Sequence, residues 1–295
     1  MRSGKFDAVQ AAGIRAVVRP DPVQVIAVTG GKGGVGKTSV AVNLSAALAA
    51  QGKRVLLFDG DMGLANVDVL LGLTPRHTLE HVLDGRCTLE EAVIETPLGF
   101  RILPGASGVA RLAGLSTAEH LGLVQAFSHI TAGIDVLVVD TAAGIADSVR
   151  QFCQAAQQVL VVLRDEPASL TDAYALIKLL NRNHGVRRFR ILANMSPAPG
   201  AGEGLFRKLE RVTNRFLDVV LEYAGEIPED SFVRSAIREQ RAVVNAYPSS
   251  PAARAFVRLA RQAGKWPLAQ GPRGNVEFFM ERLLPQAMPR LEAVR

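Results

Sequence analysis

Gly31-Lys32-Gly33-Gly34-Val35-Gly36-Lys37-Thr38 limits the architecture more than any other stretch of the chain. In a glycine-rich loop ending in Lys-Thr, successive backbone N–H groups can point inward at phosphate oxygens. A helix starting at the end of the loop adds its positive dipole. The flanks agree with this reading. Residues 23–29 carry Val23, Val25, Ile26 and Val28 on both faces of a strand, which suits a parallel sheet covered by helices on both sides. After the loop, Val40, Leu44, Ala47 and Leu48 fall on one face of a helix that starts near Lys37, with Gly52 as its C-cap. Lys37 is placed to reach β- and γ-phosphates, and the Thr38 hydroxyl to ligate Mg²⁺.

The strand-then-polar pattern repeats along the chain. Residues 54–58 run into Asp59-Gly60-Asp61, and residues 134–139 into Asp140. Residues 159–163 run into Arg164-Asp165-Glu166-Pro167, and residues 190–193 into Asn194. Helical patterns lie between them, for example over 169–180. Strands alternating with helices predict an α/β fold, a doubly wound, mostly parallel sheet with helices on both faces. Ligands of such sheets bind beyond the carboxyl ends of the strands. Asp59, Asp61, Asp140, Glu166 and Asn194 are all expected on that edge. The expected organisation is a polar tail over 1–22, a nucleotide-binding domain over 23–265, and a linker with a C-terminal amphipathic helix over 266–295. In that last helix Val276, Phe279, Met280, Leu283 and Leu284 share one apolar face.

Composition narrows the class. Apolar residues make up 48% of the 295 and charged residues 21%, ordinary values for a globular protein. No apolar run approaches the ~20 residues of a membrane span. The N-terminus lacks a secretory apolar stretch, so a cytoplasmic location is expected. The two cysteines, Cys87 and Cys153, have no cluster or metal spacing. The net charge of +6 permits polyanion binding without requiring it. Its basic residues are scattered, and no direct DNA binding is expected.

Lys32, one residue into the loop, is the less common feature. Lys32-Gly33-Gly34-Val35-Gly36-Lys37-Thr38 resembles the signature of the deviant Walker A ATPases, the ParA/MinD class. The resemblance implies ATP/ADP and Mg²⁺ as cofactors. It also implies an ATP-dependent homodimer in which Lys32 reaches the partner subunit's nucleotide. Lys32, Lys37 and Asp61 would be catalytic, with Asp61 orienting the attacking water. Thr38, Asp59 and Asp140 would hold Mg²⁺ or its water shell. Val139-Asp140-Thr141-Ala142-Ala143-Gly144 looks like the Walker B and switch II segment. The nucleotide-binding set would be Gly31, Lys32, Gly33, Gly34, Val35, Gly36, Lys37, Thr38 and Ser39. Ile191-Leu192-Ala193-Asn194 resembles the family's strand-end Asn, so Asn194 would hold adenine; a GTPase-type Asn-Lys-x-Asp element is absent. Pro228, Glu229 and Asp230 would pack against the base, and Glu166 would touch ribose or the partner subunit.

Within that class, Gly63-Leu64-Ala65-Asn66-Val67-Asp68-Val69-Leu70-Leu71-Gly72-Leu73, Asp140-Thr141-Ala142-Ala143-Gly144-Ile145 and Asp172-Ala173-Tyr174-Ala175-Leu176-Ile177-Lys178-Leu179-Leu180 resemble the FleN/FlhG regulators of flagellar number. That branch implies a FlhF-type GTPase partner engaged through residues 9–15, where Gln10-Ala11-Ala12-Gly13-Ile14-Arg15 departs from the branch motif at Val9 and Ile14. It further implies a FleQ-type transcription activator as partner. Residues 275–284 would give peripheral attachment to the inner membrane surface. The alternative is a septum-positioning or DNA-partition ATPase. A phosphate-handing biosynthetic enzyme, an iron–sulfur carrier and a tyrosine kinase of the same fold are weaker rivals. The last two lack, respectively, a cysteine pair with cluster spacing and a tyrosine-rich tail.

Overall fold

A computed structural model describes residues 22–61, 66–105, 117–131, 133–268 and 279. Eight strands form a single sheet: β1 (Gln24–Thr29), β2 (Val55–Gly60), β3 (Ile94–Glu95), β4 (Arg101–Leu103), β5 (Val136–Thr141), β6 (Gln158–Leu163), β7 (Arg188–Ser196) and β8 (Val220–Pro228). Their order is β3-β4-β2-β5-β1-β6-β7-β8. Every pairing is parallel except the β3–β4 edge. The chain leaves β1 toward β2 on one side and leaves β5 toward β6 on the other. That reversal opens a crevice beside β1 at the carboxyl end of the sheet, the position where such folds bind ligands.

The alternation along β1 explains the layering. Ile26 and Val28 face one core cluster, Val25 a second and Ala27 a third. On the first face lie α1 (Lys37–Ala49) and α11 (Pro251–Ala263). The chain between β2 and β5 carries the short helices α2 (Val67–Leu71), α3 (Leu79–Leu83) and α4 (Leu89–Ala92), then α5 (Thr117–Thr131). Helices α6 (Asp147–Ala155), α7 (Pro167–His184) and α8 (Ala201–Phe216) link β5 through β8. Helices α9 (Ser231–Arg238) and α10 (Val243–Ala246) precede α11.

Three expectations are corrected. Helix α1 is buried over ten of its residues rather than along one face, because α11 packs on its outer side. Its Asn43 is satisfied there, donating to the Ser39 carbonyl at 2.8 Å and accepting from the Val244 N–H at 3.2 Å. Asp59, Asp140 and Asn194 lie inside the last residues of their strands, because pairing continues through them. Asp59 and Asp140 are register partners. Residues 220–228, expected only as a base-proximal loop at their end, form the edge strand β8, interrupted by a register shift at Gly225.

The tail over 1–22, with the partner motif at 9–15, lies outside the described residues apart from Pro22. Of the C-terminal helix only Phe279 is described. It is fully buried and its ring stacks on Phe152 of α6, 6.5 Å between centroids. Among the described residues no helix is long and apolar enough to cross a membrane.

Candidate functional site

The phosphate loop joins β1 to α1 at the crevice. Gly36, at φ 90°, sits where a Cβ would run into the Asn194 amide, and a Cβ on Gly31 would run into the Asp172 backbone of α7. These two glycines therefore set how closely the loop approaches its neighbours. Gly33 and Gly34 are exposed, so the phosphate side of the loop is open. Lys37 is only 8% exposed. Burial lowers its pKa, while Asp140 and Asp61 act in the opposite direction. An ammonium in this setting is preorganised for a polyanion, because its stem is packed and its charge is only partly answered by carboxylates.

Two buried carboxylates, Asp59 and Asp140, stand side by side on neighbouring strands, with Asp61 close by. Asp59 is buried and accepts from the Asp61 N–H at 3.1 Å and the Val67 N–H at 3.3 Å. Burial raises its pKa to about 6, against the pull of those two hydrogen bonds. Asp140 is completely buried, and neither of its oxygens has a hydrogen-bond partner of normal geometry. Its pKa rises to about 8, chiefly from burial, with the nearby Thr38 hydroxyl and Lys37 drawing it down and Asp59 and Asp61 pushing it further up. A buried carboxyl with two orphaned oxygens is costly unless something answers it. A hard divalent cation accepts such oxygen donors. Thr38 hydroxyl and Asp140 carboxylate, with Asp59 behind them, fit Mg²⁺.

Lys32 stands apart from this inner group. Its ammonium lies 3.2 Å from Glu166 Oε2, and its side chain is 42% exposed. Arg164 approaches the other oxygen of Glu166 at 3.3 Å. The expected ribose-contacting Glu166 is thus engaged with two cations of its own chain and N-caps α7 by position. Sequence reasoning assigns Arg164 no role, although a cation two residues before Glu166 at a strand end is a signal for this pairing.

The base end is built from β7 and β8. The Asn194 amide donates to the Val35 carbonyl at 2.8 Å, so its Oδ1 is the group left to accept a hydrogen bond. An acceptor there complements the exocyclic amine of adenine and opposes the carbonyl oxygen of guanine. Asp230 plays a structural part. It accepts from Phe232 N–H at 2.9 Å and Ala252 N–H at 3.0 Å, capping α9 and fixing the start of α11. Glu229 is paired with Arg234 at 3.3 Å, and its N–H donates to Ser196. Pro228 closes β8. Ser39 lies within α1, where its carbonyl accepts from Asn43. On the switch side, the Gly144 N–H donates to the Gly30 carbonyl at 3.1 Å, and the Thr141 hydroxyl donates to the Val28 carbonyl at 3.1 Å.

Residues 22–263 match the ParA family model, described as an NUBPL iron-transfer P-loop NTPase. The chain belongs to the ParA/MinD family of P-loop NTPases. Its sequence is 60% identical over 263 residues to antiactivator FleN of Pseudomonas aeruginosa, covering 89% of this chain and 94% of that one. It is 36% identical over 217 residues to the flagellum site-determining protein YlxH of Helicobacter pylori, 73% of each chain. Among solved structures, MinD of Pyrococcus horikoshii complexed with Mg-ADP superposes with a TM-score of 0.64 at 27% identity, covering 82% of this chain and 96% of that one.

These likenesses place the chain on the FleN/FlhG branch of the ParA/MinD family, and a ParA/MinD-type ATPase binds nucleotide with Mg²⁺. The family model's description speaks of iron transfer. In this chain Cys87 packs with the second core cluster and Cys153 lies buried in the third, so the two thiols do not come together to hold iron.

Proposed function

We propose that this ATPase is a dimerising switch that limits flagellar number, and that ATP and Lys32 together drive the switch. The observation carrying the reading is the contrast between its two loop lysines. Lys37 is packed against the carboxylates of its own site. Lys32 is half-exposed and held only by an ion pair to Glu166. An exposed pair of this kind is worth ~0–1 kcal/mol, so a partner subunit's triphosphate can outcompete it. Lys32 then supplies positive charge to a transferring phosphoryl group, a lysine counterpart of the arginine fingers that accelerate such transfers by about 10³–10⁵.

In this reading Gly31–Ser39 cradle the phosphates, Lys37 holds them, and Asp61 orients the attacking water. Thr38, Asp140 and the shell around Asp59 would hold Mg²⁺, which would supply positive charge against the phosphates. Asn194 Oδ1 selects adenine, and Pro228 and Glu229 line the base. Asp230 acts by holding that segment in place. Release of Gly144 from Gly30 toward the γ-phosphate couples nucleotide state to α6, a segment order change of the kind used by other P-loop switches. Hydrolysis returns the monomer.

The flagellar role rests on the similarity to the protein named antiactivator FleN and the flagellum site-determining YlxH. We propose a FlhF-type GTPase as partner of residues 9–15 and a FleQ-type transcription activator as the regulated target. On ATP-dependent dimerisation residues 275–284, whose Phe279 is docked against Phe152 in the single subunit, are released and attach the dimer peripherally to the inner membrane surface from the cytoplasm. Deleting the gene and counting flagella per cell tests the assignment: more flagella per cell are expected, and an unchanged count removes the flagellar role. Light scattering of the purified chain with a slowly hydrolysed ATP analogue tests the switch. The wild type should double in mass and Lys32→Ala should remain monomeric.

A further inference from the structure

The 34 basic residues are spread along the chain, but the net positive charge comes from one stretch. Between Glu239 and Glu277 there is no acidic residue, while six cations occur: Arg241, Arg254, Arg258, Arg261, Lys265 and Arg273. Those six equal the entire net charge of +6, so the rest of the chain is balanced. Four of them lie on α11 and the turn that follows it. Arg254, Arg258, Arg261 and Lys265 are spaced i, i+4, i+7 and i+11, and all four are exposed. That spacing lines one face of a helix over about 16 Å. The opposite face of α11 (Ala252, Ala255, Phe256, Leu259, Ala263) is buried against α1 and the sheet. Among the described residues no ion pair or hydrogen bond engages any of the four charged groups.

Charges this close lie within a Debye length of one another at physiological salt and act as a single field. We propose that this stripe is an electrostatic docking surface for the anionic headgroups of a membrane. The proposal rests on the membrane reading of residues 275–284 given above and supplies what that segment lacks. The segment has an apolar face, but its polar side bears Glu277 and Glu281, which repel anionic lipid. The stripe ends at Lys265. The chain continues through Trp266, anchored under Arg190 at 4.3 Å, to the exposed Leu268. Eight residue steps, about 27 Å when extended, separate Leu268 from Val276, so once Phe279 leaves its place against Phe152 the amphipathic segment can reach the surface that the helix stripe faces. The exposed face of α11 carries no aromatic residue on which nucleic-acid bases could stack, and a duplex offers no place for the apolar face of 275–284. These features favour lipid over nucleic acid.

The test uses the full chain with Mg²⁺ and a slowly hydrolysed ATP analogue, sedimented with vesicles of phosphatidylcholine alone or enriched in phosphatidylglycerol. The wild type should prefer the anionic vesicles, and the preference should fade with salt. Each arginine removed should weaken anionic binding about fivefold. Arg258→Gln/Arg261→Gln should therefore lose about 25-fold on anionic vesicles, keep its binding to neutral ones, and keep its basal ATPase rate. Met280→Asp, which breaks the amphipathic face, should lose binding to both. If the double variant binds anionic vesicles as the wild type does, while Met280→Asp still fails, the stripe proposal is overturned and the membrane reading stands. If the wild type binds neither vesicle, both fall. If the double variant loses affinity for duplex DNA and not for vesicles, the surface belongs to nucleic acid and the proposal is overturned.

Discussion

Two lysines in the same loop, five residues apart, live in different surroundings. Lys37 is 8% exposed, packed beneath the loop with Asp140 and Asp61 around it. The Lys32 side chain is 42% exposed and leans outward onto Glu166, which also holds Arg164. The inner lysine sits among packed groups with no other place to go, so its role is tied to its own nucleotide. The outer one is tied by a solvent-exposed pair that costs little to break. One lysine is part of the binding site, and the other is free to change partners.

That contrast can be broken or sharpened by experiment. The largest effect is expected from Lys32→Ala: hydrolysis should fall by about 10³, while nucleotide affinity, measured by fluorescent-analogue titration, should change by less than about threefold. A collapse of affinity would merge the two lysines into one role. Lys37→Ala should do the reverse and cut nucleotide affinity about 10²-fold, the loss of a charge-assisted hydrogen bond of about 2–3 kcal/mol. Asn194→Leu should leave the Val35 carbonyl unpaired and cost about 1–3 kcal/mol of stability by denaturant titration, and it should erase discrimination between ATP and GTP.

A smaller effect concerns pH in the nucleotide- and metal-free protein. The folded pKa values of Asp140 and Asp59 are raised, to about 8 and about 6, above an unfolded value near 4. Raised carboxyl pKa values favour the fold fully below the unfolded value, and the contribution is lost as pH climbs through the folded values. The Tm should therefore drop between about pH 5 and 8.5. Asp140→Asn should flatten most of that slope, as should Mg²⁺ with nucleotide. A wild-type Tm that rises across this window would contradict the buried, unanswered state of Asp140. Glu166→Gln should have the mildest effect. By freeing Lys32 it should shift ATP-dependent dimerisation to lower protein concentration, by no more than about fivefold.

Much of the fold was legible because it is written locally. The apolar strands, the glycine loop and the helix after it are each readable within a dozen residues, and their alternation implies the parallel sheet. What stayed hidden depends on distance along the chain. Lys32 meets Glu166 across 134 residues, and Asn194 meets Val35 across 159. No periodicity links those positions. The resemblance to the family named Asn194 and Glu166, but not that the amide of one is engaged by the phosphate loop or that the other clasps two cations. The resemblance puts Asp230 of Ile227-Pro228-Glu229-Asp230 in the loop that packs against the base. The structure adds that it is a helix cap reaching α11, a tertiary fact that a turn signal does not carry. Strand β8 was obscured by Gly225 in its middle, and the burial of α1 on both sides by a helix far downstream in the chain.

The most direct test of the account mixes two crippled subunits. Lys32→Ala retains its own Asp61, and Asp61→Ala retains its own Lys32. If Lys32 acts across the interface, the mixed dimer has one complete site, built from the Lys32→Ala subunit's nucleotide and its neighbour's lysine. At a protein concentration high enough to drive Lys32→Ala into dimers, random pairing of equal amounts in a two-fold dimer should then restore about a quarter of the wild-type ATPase rate. A mixture no more active than the sum of the two variants alone would mean that Lys32 serves only its own subunit.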